Sequence, residues 1–412
     1  MFLSTPLSGL NASSAALKTV SNNLANMNTD GYKSQTTTFS DLFYQGYGTS
    51  GSGDPIQSGL GVQVSGNTHD FSNGVLSSTG VTSNLALNGS GFFVIENSDG
   101  SQSYTRNGDF TTNSTGQLIT PGGETVMGYP ATGGVVSTNA KLEPLSVGSG
   151  TTSPATPTSA FSLNTNLNSA AATGSTFQSP INVYDSLGAS HVVTITYTKT
   201  SANSWSYNVS VPSSDIQGGS GTTTSVASGT LNFNSMGALT SASTPITLSI
   251  GPLANGAATM QQMWKLSDSS GTSLLTQTAS SSSNNSTAQD GFAAGVLNTY
   301  TVGKDGTVQA TFSNGQTRPI GQVAVASFAN AEGLSLSGNN QYTSTTASGE
   351  AVIGVAGTGG RGSIASASVE QSNVDVAQQF ASLIVYQRAY EANAKAITAF
   401  DQLEQDTIAM KS

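Results

Sequence analysis

The chain contains no cysteine, two histidines and little charge: 12 basic and 22 acidic residues in 412, or 8% of the whole. Ordinary soluble proteins carry about 25% charged residues. Without cysteine, neither a disulfide nor a thiolate metal site is available. The net charge of −10 leaves no basic patch to displace counterions from phosphates, which excludes nucleic acid as a partner. No run of about 18 uncharged apolar residues occurs, so membrane insertion is not expected. The N-terminus lacks a basic n-region, a continuous apolar h-region and a cleavage motif, so a cleavable signal peptide is not expected either.

What is present is a division between chain ends and middle. Residues 363–412 hold no Gly or Pro, although the chain has 47 Gly. Within them Val369, Val376, Phe380, Leu383, Tyr390, Ala394 and Ile397 fall on alternating steps of three and four, with Asn373 and Gln387 as the polar members of the row. The first thirty residues repeat the rhythm with Leu3, Leu7, Leu10, Leu17 and Leu24. This is the spacing of helices that pack along a seam. Ser4 or Thr5 can cap the first helix and Pro6 suits its first turn, while Asp30-Gly31 is a stop signal. Leu383, Ile384, Val385 and Tyr386 are consecutive and so point all round their helix, which requires burial on every side. Such burial is expected between subunits.

The middle reads as glycine-punctuated β-structure. From about residue 71, apolar runs such as Phe92–Ile95 alternate with Asn73-Gly74, Asn88-Gly89, Asp99-Gly100 and Asn107-Gly108. The style resumes at 291–340 with Asp305-Gly306, Asn314-Gly315 and the strand Val323–Phe328. Ser/Thr-rich stretches at 149–159 and 276–287 read as linkers fencing a further β-domain. Inside it Val193, Ile195 and Tyr197 are answered by Tyr207, Val209 and Val211, as in a meander. The expected fold is mixed α and β and multidomain. A coiled-coil-like core of terminal helices (1–30 plus 364–412) carries two nested, mainly antiparallel β-domains. The boundaries are an extended connector at 31–70 plus 341–363, an inner β-domain at 71–144 plus 289–340 and an outer one at 145–288.

Chemistry is sparse. His191 lies at the mouth of a strand, where a structural or surface role is expected rather than a catalytic one. Asp401, Glu404 and Asp406 read as a solvated or interface face of the last helix. The glycines at 89 and 91 precede a strand, not a helix, so no phosphate loop is formed. The chain therefore reads as a non-enzyme with no catalytic, metal or cofactor residues.

Several motifs carry a family resemblance. Ser21-Asn22-Asn23-Leu24-Ala25-Asn26-Met27-Asn28-Thr29-Asp30-Gly31-Tyr32-Lys33 closely resembles the segment after the N-terminal helix of bacterial flagellar axial proteins. Leu85-Ala86-Leu87-Asn88-Gly89-Ser90-Gly91-Phe92-Phe93 and Tyr104-Thr105-Arg106-Asn107-Gly108-Asp109-Phe110 resemble their β-domain signature. Asn373-Val374-Asp375 and Tyr386-Gln387-Arg388-Ala389-Tyr390-Glu391-Ala392-Asn393 resemble their C-terminal helix. Met27 and Asp30 depart from the pattern, standing where small residues and Pro are common. With the large inserted domain and the stretch Gly321–Leu334, the chain is similar to the hook-type members of this rod and hook family. The resemblance implies a homopolymer: a flexible tube outside the cell, coupling motor rod to filament as a universal joint. It also implies export through the flagellar type III apparatus, and rod, hook-cap and hook–filament junction proteins as partners. Assembly residues would be the apolar positions of the two terminal helices. A distal rod-type axial protein and a secreted β-rich adhesin or fibre remain the alternatives.

Overall fold

The computed structural model describes residues 4–49, 55–148, 150–240 and 244–411. Leu3 lies outside them. The chain forms two compact units: Met1–Gly148 with Thr299–Ala310 and Thr317–Ser412, and Ser149–Asn298 with Thr311–Gln316. Among the described residues it is mostly β-structure, with one long helix near each end.

In the first unit, helix α1 (Ser4–Ala25) places Pro6 in its opening turn, as expected. Its buried face is made of Ala12, Ser13, Ala16, Thr19, Val20 and Asn23. These small side chains let α1 lie on the paired strands Gln35–Asp41 and Val62–His69. The predicted leucine row is not that face: Leu7 is 51% exposed, and Leu10, Leu17 and Leu24 are only partly covered. Steps of three or four joining Ala12, Ala16, Val20 and Asn23 define the inward stripe, and the leucines fall beside it.

Strand Phe92–Glu96 explains the unit's β-core. It pairs antiparallel with Gln102–Thr105 through the Asp99-Gly100 hairpin, and with Thr125–Thr132 and Thr317–Ser327. Alternate residues of a strand face opposite ways. Accordingly Phe93 and Ile95 join Leu85, Leu87, Phe110 and Val323 in one core, while Phe92 and Val94 join Tyr104, Met127 and Tyr342 in another. Cores on both sides are why this strand is a continuous apolar run rather than an alternating one.

The C-terminal helix α2 spans Val376–Lys411 and lies against α1. Its start corrects the expected helix over 364–412. Residues 363–370 are instead two short strands, Ser363–Ser366 on Leu85–Asn88 and Ser368–Glu370 on Leu76–Ser78, with a bend at Ala367. Val369 is therefore a buried strand residue, not a heptad position. The absence of glycine and proline permitted a helix there but did not start one. Asp375 does: its Oδ1 accepts a hydrogen bond from Gln378 N at 3.1 Å, an N-cap for the turn that follows. Gln341–Thr343 and Val352–Val355, read from sequence as connector, hold strands that pair with Gln102–Thr105 and Thr317–Ser327.

The second unit has two sheets. Thr176–Tyr184, Ser190–Ser201, Ser204–Pro212 and Thr223–Asn232 form an antiparallel meander with Tyr197 opposite Tyr207 and Ile195 opposite Val209. The other sheet runs Ile246–Ile250, Met260–Lys265, Ala160–Asn168, Leu275–Thr278, with Ser283–Gln289 also on Ala160–Asn168. Two of its pairings are parallel. The supposed linker at 276–287 thus carries strand; its short hydroxyl side chains make Ser283–Gln289 a largely exposed one. Trp205, Trp264, Tyr197 and Phe161 are almost fully buried in the core of this unit.

Candidate assembly site

Where the N-terminal segment leaves α1 it meets the strand leading into α2. Asn23 is wholly buried and all its bonding capacity is used. Its Nδ2 donates to Gln35 O at 2.8 Å and to Gln379 Oε1 of α2 at 3.2 Å. Its Oδ1 accepts from Gln35 N at 2.9 Å and from the Tyr32 hydroxyl at 3.1 Å. Only a carboxamide supplies two donors and an acceptor with two lone pairs in this shape. Asn22 donates to the Tyr32 oxygen at 3.4 Å, and Asn26 Nδ2 returns to Asn22 O at 3.0 Å, closing the end of the helix after Ala25.

Gly31 makes the turn that follows. Its φ is +69°, and a Cβ there would lie 2.5 Å from Asn107 N. Its own N–H donates to Glu370 O at 2.7 Å. Beside it, Lys33 and Arg106 are buried against one carboxylate. Lys33 Nζ is 2.7 Å from Glu370 Oε1, and Arg106 Nη1 is 3.2 Å from Glu370 Oε2. Gly74 N also donates to Glu370 Oε1 at 2.8 Å, and Lys33 reaches Ser72 O at 2.6 Å. Burial lowers the pKa of Lys33 and of Arg106, and Glu370 works against that fall in both. The Arg106 guanidinium also lies over the Phe92 ring, 5.4 Å from its centroid.

The β-domain motif supplies the floor. Arg106 Nη2 donates to Gly89 O at 2.8 Å, Asn88 pairs with Ser363, and Gly91 leads into Phe92 and Phe93. Phe93 stacks edge-on against Phe110 at 5.2 Å. Asn373 then ties the start of α2 back, accepting from Ser34 N at 2.7 Å and donating to Asp70 O at 2.8 Å.

Above this knot α2 is largely uncovered, whereas α1 keeps its small-residue face on the strands. The two helices touch at Gly9, where a Cβ would meet the Asn393 amide at 2.8 Å. No residue of Val376–Met410 is fully buried. Phe380 is 48% exposed, Ile384 57% and Val385 62%; Val376 and Tyr390 are also exposed, and Leu383 and Ile397 partly so. Asp401, Glu404 and Asp406 are solvated. The sequence-predicted residues thus divide. Asn22, Asn23, Asn26, Gly31, Tyr32, Asn88, Gly89, Phe92 and Phe93 gather in or beside the buried junction, whereas the apolar helix positions stand outside it.

Sequence reasoning missed Glu370. The available signal was its isolation: it is the sole charge between Arg361 and Asp375, beside the apolar Val369.

A knot joining both ends of the chain leaves an apolar helix uncovered above it, a surface suited to assembly with other copies. Four family models tile the sequence: flagella basal body rod protein at 3–33, flagellar hook protein FlgE/F/G D1 domain at 86–153, flagellar basal body protein FlaE D2 domain at 150–292, and flagellar basal body rod FlgEFG protein C-terminal at 365–410. The flagellar hook protein FlgE of Salmonella typhimurium is 34% identical over 417 residues, covering 98% of each chain. That of Escherichia coli K12 is 34% identical over 416 residues and that of Borreliella burgdorferi 32% over 445, again with 98% of each chain covered. A crystal structure of Helicobacter pylori flagellar hook protein FlgE2 matches 70% of this chain and 98% of its own, with 15% identity and a TM-score of 0.48. The chain belongs to the flagellar hook protein FlgE family. It is a structural hook subunit and not an enzyme.

Proposed function

We propose that the subunit polymerises through its terminal helices into a flexible extracellular tube, the universal joint that transmits torque from rod to filament. The observation that carries this reading is the apolar surface of α2, left uncovered by its own chain while the junction beneath it is fully packed. Each apolar side chain there would contribute roughly 1.5–3 kcal/mol if neighbouring copies buried it. The assembly residues are Leu3, Leu7, Leu10, Leu17, Leu24, Val376, Phe380, Leu383, Ile384, Tyr390 and Ile397. Leu3 lies outside the described residues; the others named here are all at least partly exposed. Rod, hook-cap and junction proteins would meet the ends of the polymer, whose subunits would be exported through the flagellar type III apparatus.

In this reading the terminal helices would line the tube's channel and β-structure would form its exterior. Serine, threonine and asparagine on outer surfaces support bending, because neutral hydrogen bonds of about 0.5–1.5 kcal/mol exchange readily. Membrane insertion is not part of the reading: among the described residues, no helix is long and apolar enough to cross a bilayer.

Leu383→Asp is the test. A carboxylate at this partly exposed position should leave the isolated subunit folded, but burying it unpaired in a polymer seam costs several kcal/mol per copy. Electron microscopy should show cells with rods and no hooks. Normal hooks on the mutant would mean that this face is not an assembly surface, and an unfolded monomer would place Leu383 in an intramolecular core.

A further inference from the structure

His191 opens strand Ser190–Ser201 in the second unit and is buried. Its Nε2 lies 3.0 Å from Asp185 Oδ2 and its Nδ1 2.9 Å from Asp215 Oδ2. A carboxylate oxygen only accepts, so both ring nitrogens must carry hydrogen for both contacts to be bonds. A neutral imidazole would turn one lone pair against an anion. The site is therefore built around the imidazolium form.

Its two carboxylates belong to different pieces of chain. Asp185 holds the Asp185–Gly188 turn by accepting from Leu187 N and Ala189 N, each at 2.9 Å, and its Oδ2 also receives Asn255 Nδ2 at 2.5 Å. Asp215 ends the Ser213–Asp215 turn, and its Oδ1 accepts from Ser214 Oγ at 3.2 Å. The segments carrying Asp215 and Asn255 are one flap: Ala254 N donates to Asp215 O at 2.9 Å, Gln217 N to Pro252 O at 2.8 Å, and Ile216 bridges Leu253. His191 and Asn255 fasten this flap to the Asp185 turn, next to a bond from Ala258 N to Ser186 Oγ at 3.1 Å, while Leu253 and Ile216 pack on the unit's core.

We propose that this cluster is a proton-operated clasp, in which a proton held at His191 between Asp185 and Asp215 tightens the 213–217/252–255 flap on the Asp185 turn, and its loss loosens the flap. Among the described residues of the unit, Asp185 and Asp215 are the charged groups that act on the ring; Lys199, Lys265, Asp268 and Asp290 do not. Burial by itself would lower the His191 pKa, but the bonds to Asp185 and then Asp215 outweigh it, and the net direction is up. A histidine raised in the folded state stabilises fully below its unfolded pKa and loses that contribution as pH rises through the folded one. The clasp is thus closed below 6.5 and loosens as pH rises through the raised folded pKa.

The full-length chain makes the test direct, since it holds two histidines and two tryptophans and both tryptophans lie in the second unit. Histidine ring resonances in labelled protein should include one titrating above 6.5, absent from His191→Gln. Tryptophan-detected melting should drop towards alkaline pH across the same range. Asp215→Asn keeps the shape but removes one charge; it should move the upper titration down and flatten the alkaline drop. If neither histidine titrates above 6.5, if the upper titration survives His191→Gln, or if Asp215→Asn leaves both curves unchanged, the clasp is overturned.

Discussion

Glu370 Oε1 lies 2.7 Å from Lys33 Nζ although 337 positions separate the two in sequence, and the same carboxylate receives Arg106. Two cations share one anion with almost no water, so the group is held by geometry rather than by surplus attraction. Desolvation offsets most of the Coulomb gain in such sites, yet removing one partner strands the rest.

Glu370→Gln should therefore be severe. It leaves Lys33 and Arg106 buried without a counter-charge, at about 3–5 kcal/mol. Both helices lie in the first unit and both tryptophans in the second, so helical circular dichroism and tryptophan fluorescence report the units separately. The helical transition should fall to lower denaturant while the tryptophan transition stays in place. An unchanged helical transition would show that the triad is not needed for the junction.

Asn23→Ala tests the second anchor. The change leaves the Gln35 backbone pair and the Tyr32 hydroxyl without their buried partner and cuts the direct link to Gln379. A loss of about 1–3 kcal/mol per stranded buried group is expected. Asn23→Asp should recover only part of it, since an ionised carboxylate accepts but cannot donate. Equal stability of Asn23→Asp and the native chain in urea melts would refute the donor role.

His69 gives the first unit a pH dependence opposite to that of His191. Burial lowers its pKa below 6.5, against a hydrogen bond with the Lys33 backbone. Its ring packs edge-on against Tyr342 at 6.0 Å. Because the unfolded chain then binds the proton more readily, stability is full above about 6.5 and declines as pH falls through it. His69→Phe should flatten the helical melting midpoint between mildly acid and neutral pH. A midpoint in the native chain that does not fall on acidification would contradict this.

Much of the fold was legible because short-range patterns set it. The apolar runs between Asn-Gly and Asp-Gly pairs formed strands, and the Asp99-Gly100, Asp305-Gly306 and Asn314-Gly315 turns close hairpins. Errors arose where one signal had two physical meanings. The stretch 363–370 lacks helix breakers, but its serines and β-branched residues suit a strand, and a three-four spacing through Val369 arose by coincidence. The leucine rhythm of α1 was real, yet small residues beside it took the core because the helix had to lie close to strands. Glu370 and the aspartates around His191 were invisible for another reason: their partners are brought by the fold, from 337 residues away in one case and 24 in another.

The shared carboxylate also sets a timetable. A chain synthesised from its N-terminus holds Lys33 and Arg106 long before residue 370 of 412 exists. Until then the two cations have no anion to accept them, and Gly31 and Gly74 lack the acceptors on Glu370. Early contacts near the amino end are thereby kept provisional, and the first unit can seal only when nearly the whole chain has been delivered. A chain cut short before Glu370 cannot pass for a finished subunit.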